Sequence, residues 1–324
     1  MNKISTLRTP TSSPTGLRRR FGEERQRVDL PAVGGGQTRL RFERFAALAG
    51  ESMSLARLVE ADADARAIVA ELRTSLVDPA VPYGVWASTG ARSITVREIG
   101  GCAVELYGDQ PWCGGATLVQ RALLVVDRGN ICELIDVTVD PDNIDTSGWS
   151  TPTFSELGTA TMHFDGTAAV KLHSETGDYA RRPGFWHGAV GVAACWVGAT
   201  QALLSLHAAA WSRQDSHSLA QLGAAFSEVE QSTATIRAAA DEIDRDPQNL
   251  PAASQRAAWV RYCVDRSCTR ALDHLAVGSG PGPFAHNASV TARTDELRMA
   301  LRQSHGLRDV EDLGRDYRSS TMPR

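Results

Sequence analysis

Lysine is almost absent from this sequence of 324 residues. Lys3 and Lys171 are the only two, and arginine supplies the rest of the 34 basic side chains. No Gly-x-x-x-x-Gly-Lys run exists, so a nucleotide-phosphate loop of that type is excluded, and a Schiff-base lysine would have to be Lys171. Because 38 acidic residues outnumber the basic ones, a dedicated nucleic-acid binder is also excluded.

Paired cysteines are lacking as well. The six cysteines are spread singly along the chain, none in a Cys-x-x-Cys pair, and the histidines do not have the spacing of a helical metal pair. We therefore predict no metal site. The first residues contain no apolar run of the kind that begins a secretory signal. Together these features predict a protein of the reducing cytoplasm.

Charged side chains are missing between Pro183 and Ser212, and the segment reads as one continuous helix. Its length alone would suit a membrane span. Several polar residues interrupt it, among them Gln201 and His207, and no basic cluster flanks it. Helices that are apolar all round also occur in the cores of large soluble domains. We therefore predict a buried bundle helix and no membrane span.

The composition of the sequence and the spacing of its apolar residues change three times, which predicts an α+β multidomain chain. Residues 1–40 are rich in Ser, Thr, Pro, Gly and Arg and predict a flexible leader. Apolar residues recur at helical spacing over 41–80, with a break near Gly50, which predicts a short N-terminal helical part. Alternating apolar residues between turn clusters predict an antiparallel β-sandwich or barrel over 81–178. The rest, 179–318, predicts a C-terminal four-helix bundle with helices near 187–212, 217–245, 251–276 and 290–304.

Two motifs in the β region resemble those of the flavin-dependent acyl-CoA dehydrogenase superfamily, which has this domain order. The stretch from Val85 to Ser93 resembles its Val-Thr-Glu-Pro-Gly-Ala-Gly-Ser loop, with Gly90 and Ser93 matching. Gln110-Pro111-Trp112-Cys113-Gly114-Gly115 resembles its Lys-x-Trp-Ile-Thr-Asn strand. The resemblance implies that Trp112 packs on the flavin ring and that Cys113 lies beside it. Gly114 replaces the hydroxyl donor of that strand.

A third motif lies near the end of the bundle. The stretch that contains Gly278, Gly280 and Phe284 resembles the family's Gly-Gly-x-Gly-Phe loop, which holds the pyrophosphate of FAD across a subunit interface. Arg213 falls where the family has a phosphate-binding arginine. The resemblance thus implies FAD as cofactor and a homodimer or homotetramer. Glycine-rich turns and arginine forks suit phosphate physically.

The same residues also have simpler interpretations. A tryptophan in a β-sandwich is commonly part of the core. The glycine-rich loop after residue 277 is equally consistent with a helix cap. Arg293, Arg298 and Arg302 are equally consistent with a solvated helix face.

The catalytic base of the family is the feature that this sequence does not reproduce. Acyl-CoA dehydrogenases remove an α-proton with a carboxylate, commonly a glutamate about twenty residues after the Gly-Phe loop. Counting in the same way gives Ser304 or His305. His305 is the candidate catalytic residue, since imidazole titrates near neutrality; a phosphate contact or a structural histidine are the alternatives. Carboxylates elsewhere in the bundle are further candidates for the base: Glu228, Glu230 and Asp265.

Phe185, Trp186 and His187 open the first bundle helix directly after the β region. In the family's architecture this junction faces the cofactor cleft, so these residues are candidates for substrate contacts. Packing between domains is the alternative.

The sequence therefore predicts an FAD-dependent oxidoreductase that desaturates an acyl thioester such as an acyl-CoA, with an unknown electron acceptor. Two alternatives follow from the missing glutamate. One is a flavin-dependent monooxygenase of the same fold, supplied with reduced flavin by a partner reductase. The other is a non-catalytic member that acts in assembly or in acyl-carrier binding.

Overall fold

A computed structural model describes residues 14–27, 30–87, 94–129, 132–173, 179–210 and 215–321. Within these residues the chain forms two compact units. The bundle unit contains residues 31–56 and the chain from residue 186 onward. The sheet unit contains the first helix and residues 57–185.

The described residues form nine α-helices. Three precede the sheet: α1 (Pro14–Arg27), α2 (Thr38–Glu51) and α3 (Met53–Glu71). Six follow it: α4 (Pro183–Ala210), α5 (Ser216–Arg245), α6 (Leu250–Ser279), α7 (Gly282–His286), α8 (Ala288–Leu301) and α9 (Glu311–Thr321). The four long predicted bundle helices are confirmed as α4, α5, α6 and α8. The starts of α5, α6 and α8 are set by polar caps, since Asp215, Asn249 and Asn287 each accept a backbone N–H of the following turn.

Residues 14–27 correct the prediction of a flexible leader over 1–40. They form helix α1, in which Leu17 and Phe21, one helical turn apart, are buried. Arg25 anchors the helix to the sheet unit through Asp62, with Nε 3.0 Å from the carboxylate, and through the carbonyl oxygen of Val81 at 2.8 Å. These contacts with distant residues help to order a segment whose average composition is that of a leader.

The described residues of the sheet unit contain seven strands, which form one sheet. They are β1 (Tyr83–Trp86), β2 (Thr95–Gly100), β3 (Ala103–Cys113), β4 (Arg121–Asp127), β5 (Cys132–Thr138), β6 (Ile144–Asp145) and β7 (Ala160–Leu172). The order is β1-β4-β5-β7-β3-β2, and β6 pairs with β7. The sheet is mixed rather than wholly antiparallel as predicted, because β1 runs parallel to β4.

A buried carboxylate ties three segments of the sheet unit together. Asp136 on β5 is fully buried and accepts three hydrogen bonds: from Arg121 Nε at 2.7 Å, from the Tyr83 hydroxyl at 2.9 Å and from the Val77 backbone N–H at 2.8 Å. Burial raises the pKa of Tyr83 to about 12, so its hydroxyl stays a donor at neutral pH. The apolar core beside this network consists of Ala65, Ile68, Val69, Leu72, Leu76, Leu123, Val125, Leu134 and Tyr179.

The core of the bundle unit includes the helix without charges. Two-thirds of the most apolar window of α4 is buried inside the protein, although the helix is long and apolar enough to cross a membrane. Trp196 on α4 is fully buried, and the guanidinium of Arg261 lies 4.9 Å from the centre of its ring. Helix α2 packs on this unit, and Arg293 of α8 donates to the carbonyl oxygens of Gly50 and Glu51 at 2.7 Å each. Arg293 therefore caps the C-terminus of α2.

Candidate functional site

The end of strand β3 presents a tryptophan to solvent. Trp112 is 68% exposed, although large aromatic side chains are normally buried. Its backbone has φ of 63°, in the left-handed region that bulky residues rarely adopt. The register against β7 shifts between Gln110 and Cys113, so the strand carries a bulge here. Such bulges re-aim a side chain, and a strained residue costs on the order of 1–3 kcal/mol, which points to a functional role.

The residues around Trp112 fix this conformation. Cys113 is fully buried, and its thiol donates to the carbonyl oxygen of Gln110 at 3.2 Å. Burial raises the pKa of the Cys113 thiol, so it stays protonated at neutral pH. Gly114 donates its N–H to the carbonyl oxygen of Trp112 at 2.9 Å, and its own carbonyl accepts from Trp86 Nε1 at 3.1 Å.

A second tryptophan contacts Trp112. The ring of Trp149 lies with its centre 5.9 Å from that of Trp112, and the two planes meet at 85°. Trp149 is half-buried, and its Nε1 donates to the carbonyl oxygen of Thr153 at 2.9 Å. Edge-to-face pairs of this kind contribute about 0.5–1.5 kcal/mol beyond burial. Sequence reasoning missed Trp149, since no local pattern places it beside Trp112.

A histidine lies between two carboxylates close to this end of β3. His163 on β7 is directly opposite Asp109, with Nδ1 2.6 Å from the carboxylate, and its Nε2 is 3.7 Å from Asp145 on β6. The hydrogen bond to Asp109 raises the pKa of His163 above its usual value near 6.5. All three side chains are substantially exposed to solvent.

We expect the pH dependence of this cluster to be measurable. Because the folded state raises the pKa of His163, its stabilising contribution is complete below pH about 6.5 and is lost as pH rises through the folded value. An NMR titration of the His163 ring should show a midpoint above that of a free histidine. Asp109→Asn should lower this midpoint, while Asp142→Asn, an exposed control in the neighbouring loop, should leave it unchanged. An unshifted midpoint in the unaltered protein would contradict this reading.

The glycine-rich loop of the bundle unit serves as a helix end. Gly280 has φ of 66° and forms the C-cap of α6, with its N–H bound to the carbonyl oxygen of Ala276 at 3.1 Å. Gly278 is buried in the last turn of α6. Phe284 on α7 packs against His207, with ring centres 5.5 Å apart. His207 is fully buried, its Nδ1 has no hydrogen-bond partner in the described residues, and burial lowers its pKa, so the imidazole is neutral.

The predicted substrate residues lie in different surroundings. Phe185 belongs to the sheet unit, where its ring packs edge-on against Tyr179 with centres 5.5 Å apart. His187 belongs to the bundle unit, is 3% exposed, and directs its Nε2 at the carbonyl oxygen of Pro247 at 3.0 Å. Trp186 is half-buried in the same unit. Their contact with substrate stays a prediction.

The four candidate bases lie in different surroundings, and their role in proton abstraction stays a prediction. The His305 side chain is 65% exposed, and its Nδ1 lies 2.9 Å from Asp309 on the surface between α8 and α9. Glu228 accepts two bonds from Arg270 at 2.6 and 2.8 Å, and this pairing lowers its pKa. A general base that works near neutral pH needs the opposite shift. Asp265 is buried, and Glu230 is exposed on α5.

Three predicted cofactor residues, Gly90, Ser93 and Arg213, lie outside the described residues. Within the described part of the chain, no three His, Cys, Asp or Glu side chains come together as metal ligands.

The bundle unit also contains an apolar cleft of about 380 Å³ between α2, α4 and α5. Small side chains such as Ala46, Gly198 and Ala202 line it, and the ion pair of Glu43 and Arg237, 3.4 Å apart, lies at its edge. Its volume is within the range of small-molecule sites.

No protein-family model and no curated protein matches this chain. Solved structures do match it across almost its whole length. TdsC from Paenibacillus sp. A11-2, solved with FMN and indole, is 15% identical over 97% of this chain and 92% of its own, with a TM-score of 0.75.

Two further structures have the same fold. The methanesulfinate monooxygenase MsuC from Pseudomonas fluorescens is 14% identical, with a TM-score of 0.71 over 99% of this chain and 98% of its own. XiaF from Streptomyces sp., solved with FADH2 and glycerol, is 17% identical over 82% of this chain and 76% of its own, with a TM-score of 0.65. Helices, a mixed sheet and a helical bundle thus occur in the predicted order, and this chain has the acyl-CoA dehydrogenase fold.

Proposed function

We propose that this protein is a flavin-dependent monooxygenase that receives reduced flavin from a separate reductase. The observation that carries the proposal is Trp112, an exposed ring held in a strained conformation at a bulge. The proteins of similar structure support the flavin: TdsC is solved with FMN and XiaF with FADH2. The experiment below supplies FMN and FAD separately and so measures which of the two flavins the protein uses.

The residues at the end of β3 fit a flat aromatic cofactor. The Trp112 ring is open to solvent, and a Cβ added at Gly114 would meet no atom within 4 Å, so the space at residue 114 is open too. Both backbone groups of Gly114 are engaged within the chain. This segment therefore binds a flavin by ring stacking rather than through a side-chain hydroxyl. Reduced flavin, when bound, supplies two electrons that let one atom of dioxygen enter the substrate while the other becomes water.

The surroundings of the candidate bases support the proposal of oxygen transfer over that of desaturation. Desaturation of an acyl thioester needs a positioned carboxylate to take the α-proton. Here Glu228 is held ionised by Arg270, and His305 lies in solvent. Two similar structures, TdsC and MsuC, are named as monooxygenases. Acyl-thioester desaturation is the second candidate, and the domain order that it shares with the dehydrogenases supports it.

A direct comparison of the two reactions tests the proposal. The full chain is supplied with FMN or FAD, NADH and a flavin reductase, and product is analysed after exposure to isotopically labelled dioxygen. The substrates are planar heteroaromatics and alkanesulfinates, the classes named for the similar structures. In parallel, acyl-CoA esters are tested without oxygen but with an artificial electron acceptor. Label in the product supports the proposal; enoyl-CoA formation contradicts it and supports desaturation.

A failure to bind either flavin or acyl-CoA would have a different meaning. A chain that binds neither flavin nor acyl-CoA but still forms a homodimer or homotetramer would contradict both reactions. It would support the non-catalytic role in assembly.

The contribution of Trp112 to cofactor binding is a separate prediction. Trp112→Ala should weaken flavin binding by about 1–3 kcal/mol, roughly 5- to 150-fold in Kd, because a stacked aromatic contact is lost. Fluorescence titration with FMN and with FAD measures this change. Ile99→Ala removes another exposed apolar side chain from the same sheet and should leave Kd unchanged. Equal affinity in the Trp112→Ala and unaltered chains would contradict the placement of the flavin.

A further inference from the structure

We propose that Trp149 is a positioning residue of the flavin site: it holds the Trp112 ring at a right angle to its own, so that the cofactor ring enters a corner between two indoles. The inference rests on the proposed function and adds a residue that neither the resemblance nor the comparisons assign.

The first step is the orientation of Trp112. Its ring is 68% exposed, so little of the protein packs around it, and its backbone is in the left-handed region. An exposed indole turns freely unless a neighbour restrains it. The structure gives it one aromatic neighbour among the described residues, Trp149, whose plane meets that of Trp112 at 85°. Trp149 therefore restricts the orientations that the Trp112 ring adopts.

The second step is that Trp149 itself is fixed. Its Nε1 donates to the carbonyl oxygen of Thr153 at 2.9 Å, and its backbone N–H donates to the carbonyl oxygen of Thr146 at 3.0 Å. The segment before it is paired with β7, where Ile144 lies opposite Met162. The segment after it is anchored by Phe154, which is 7% exposed. A ring held from both sides is able to restrain a freer one.

The third step is the shape that results. Two perpendicular indole planes form a corner, and a planar ring stacked on Trp112 directs one edge towards Trp149. Aromatic rings favour both of these contacts, offset stacking and edge-to-face. The corner therefore suits the flat isoalloxazine of a flavin, and Trp149 lowers the rotational freedom that Trp112 would lose on binding.

The experiment uses the full chain with oxidised FMN and FAD as probes. Trp149→Ala should raise the Kd of the preferred flavin about 3- to 10-fold, the scale of one aromatic pair, whereas Trp149→Phe should restore most of the affinity. Trp259→Ala removes a half-buried indole from the bundle unit and is the control. Circular dichroism and the thermal midpoint establish that each variant is folded.

A double variant separates positioning from a general loss of structure. If Trp149 acts through Trp112, then Trp149→Ala should raise Kd less once Trp112 is alanine than it does in the unaltered chain, because only the edge contact of Trp149 with the flavin is left to lose. Equal affinity in the Trp149→Ala and unaltered chains, while Trp112→Ala weakens binding, would overturn this inference and leave the proposed function standing. Additive effects of the two variants would also overturn it. An unaltered chain that binds neither flavin would contradict the proposed function itself.

Discussion

Replacing Asp136 with alanine should lower the free energy of unfolding by about 3–5 kcal/mol, as expected when one partner of a buried ion pair is removed. Asp136 is fully buried and accepts hydrogen bonds from Arg121, Tyr83 and Val77. Alanine would leave the Arg121 guanidinium, whose side chain is only 15% exposed, without its carboxylate. Urea unfolding followed by tryptophan fluorescence measures the loss.

Two variants bracket this expectation. Asp165→Ala removes an exposed carboxylate from the same sheet and should change stability by no more than about 0.5 kcal/mol. Tyr83→Phe removes one of the three donors and should cost about 1 kcal/mol. If Asp136→Ala is no more destabilising than Asp165→Ala, the network does not stabilise the sheet unit.

The network also bears on the candidate site. Strand β1 carries Tyr83 at one end and Trp86 at the other, and Trp86 Nε1 holds the carbonyl oxygen of Gly114, two residues after Trp112. A displacement of β1 would therefore change the backbone at Gly114, which helps to fix the Trp112 ring. A folded Asp136→Asn chain, which keeps the shape of the side chain, allows flavin binding to be measured with this coupling weakened.

Much of the fold follows from local sequence signals. The four bundle helices have apolar residues at helical spacing, three of them begin at a polar cap, and these signals act within a few residues of each other. The apolar alternation of β3 and β7 and the short apolar runs of β4 and β5 are equally local. For this reason the domain order was predictable from the sequence, and that order points to the fold that the comparisons confirm.

The predictions that were wrong concern segments whose structure depends on contacts between distant residues. Helix α1 is ordered by Leu17, Phe21 and the Arg25–Asp62 pair, none of which stands out from a composition typical of leaders. Strand β1 has only four residues, and its parallel pairing with β4 depends on the chain between them. A short apolar run gives no information about its partner or direction.

Some features of the candidate site also follow from local sequence signals, and others depend on contacts between distant residues. Trp112 was predictable through its resemblance to a motif, but its left-handed backbone was not, because tryptophan carries no signal for that conformation. Trp149 is 37 positions further along the chain by residue number and meets Trp112 only through the pairing of β6 with β7 and the loop that follows. Strand alternation turns the thiol of Cys113 into the core, and the predicted position of this residue beside the cofactor stays a prediction.

Helix packing in the bundle unit gives the second large expected effect. Gly198→Ala should destabilise the protein by about 3 kcal/mol, at the upper end of the cost of overpacking. A Cβ at residue 198 of α4 would overlap the backbone of Ala46 in α2, its carbonyl oxygen above all, and backbone atoms cannot move aside as a flexible side chain does. The two helices would have to separate, which would also disturb Gly50, where an added Cβ would lie 3.3 Å from the carbonyl oxygen of Gly198. Thermal and urea unfolding measure the change.

The same substitution at a second helical glycine should have the opposite sign. Gly223 is exposed on α5, and a Cβ there would meet no atom within 4 Å. Gly223→Ala should therefore stabilise the protein by about 0.5–1 kcal/mol through helix propensity alone. Because both variants exchange glycine for alanine inside a long helix, their difference isolates the contact between α2 and α4. Stabilisation of similar size at both positions would show that these helices do not need the glycine to approach each other.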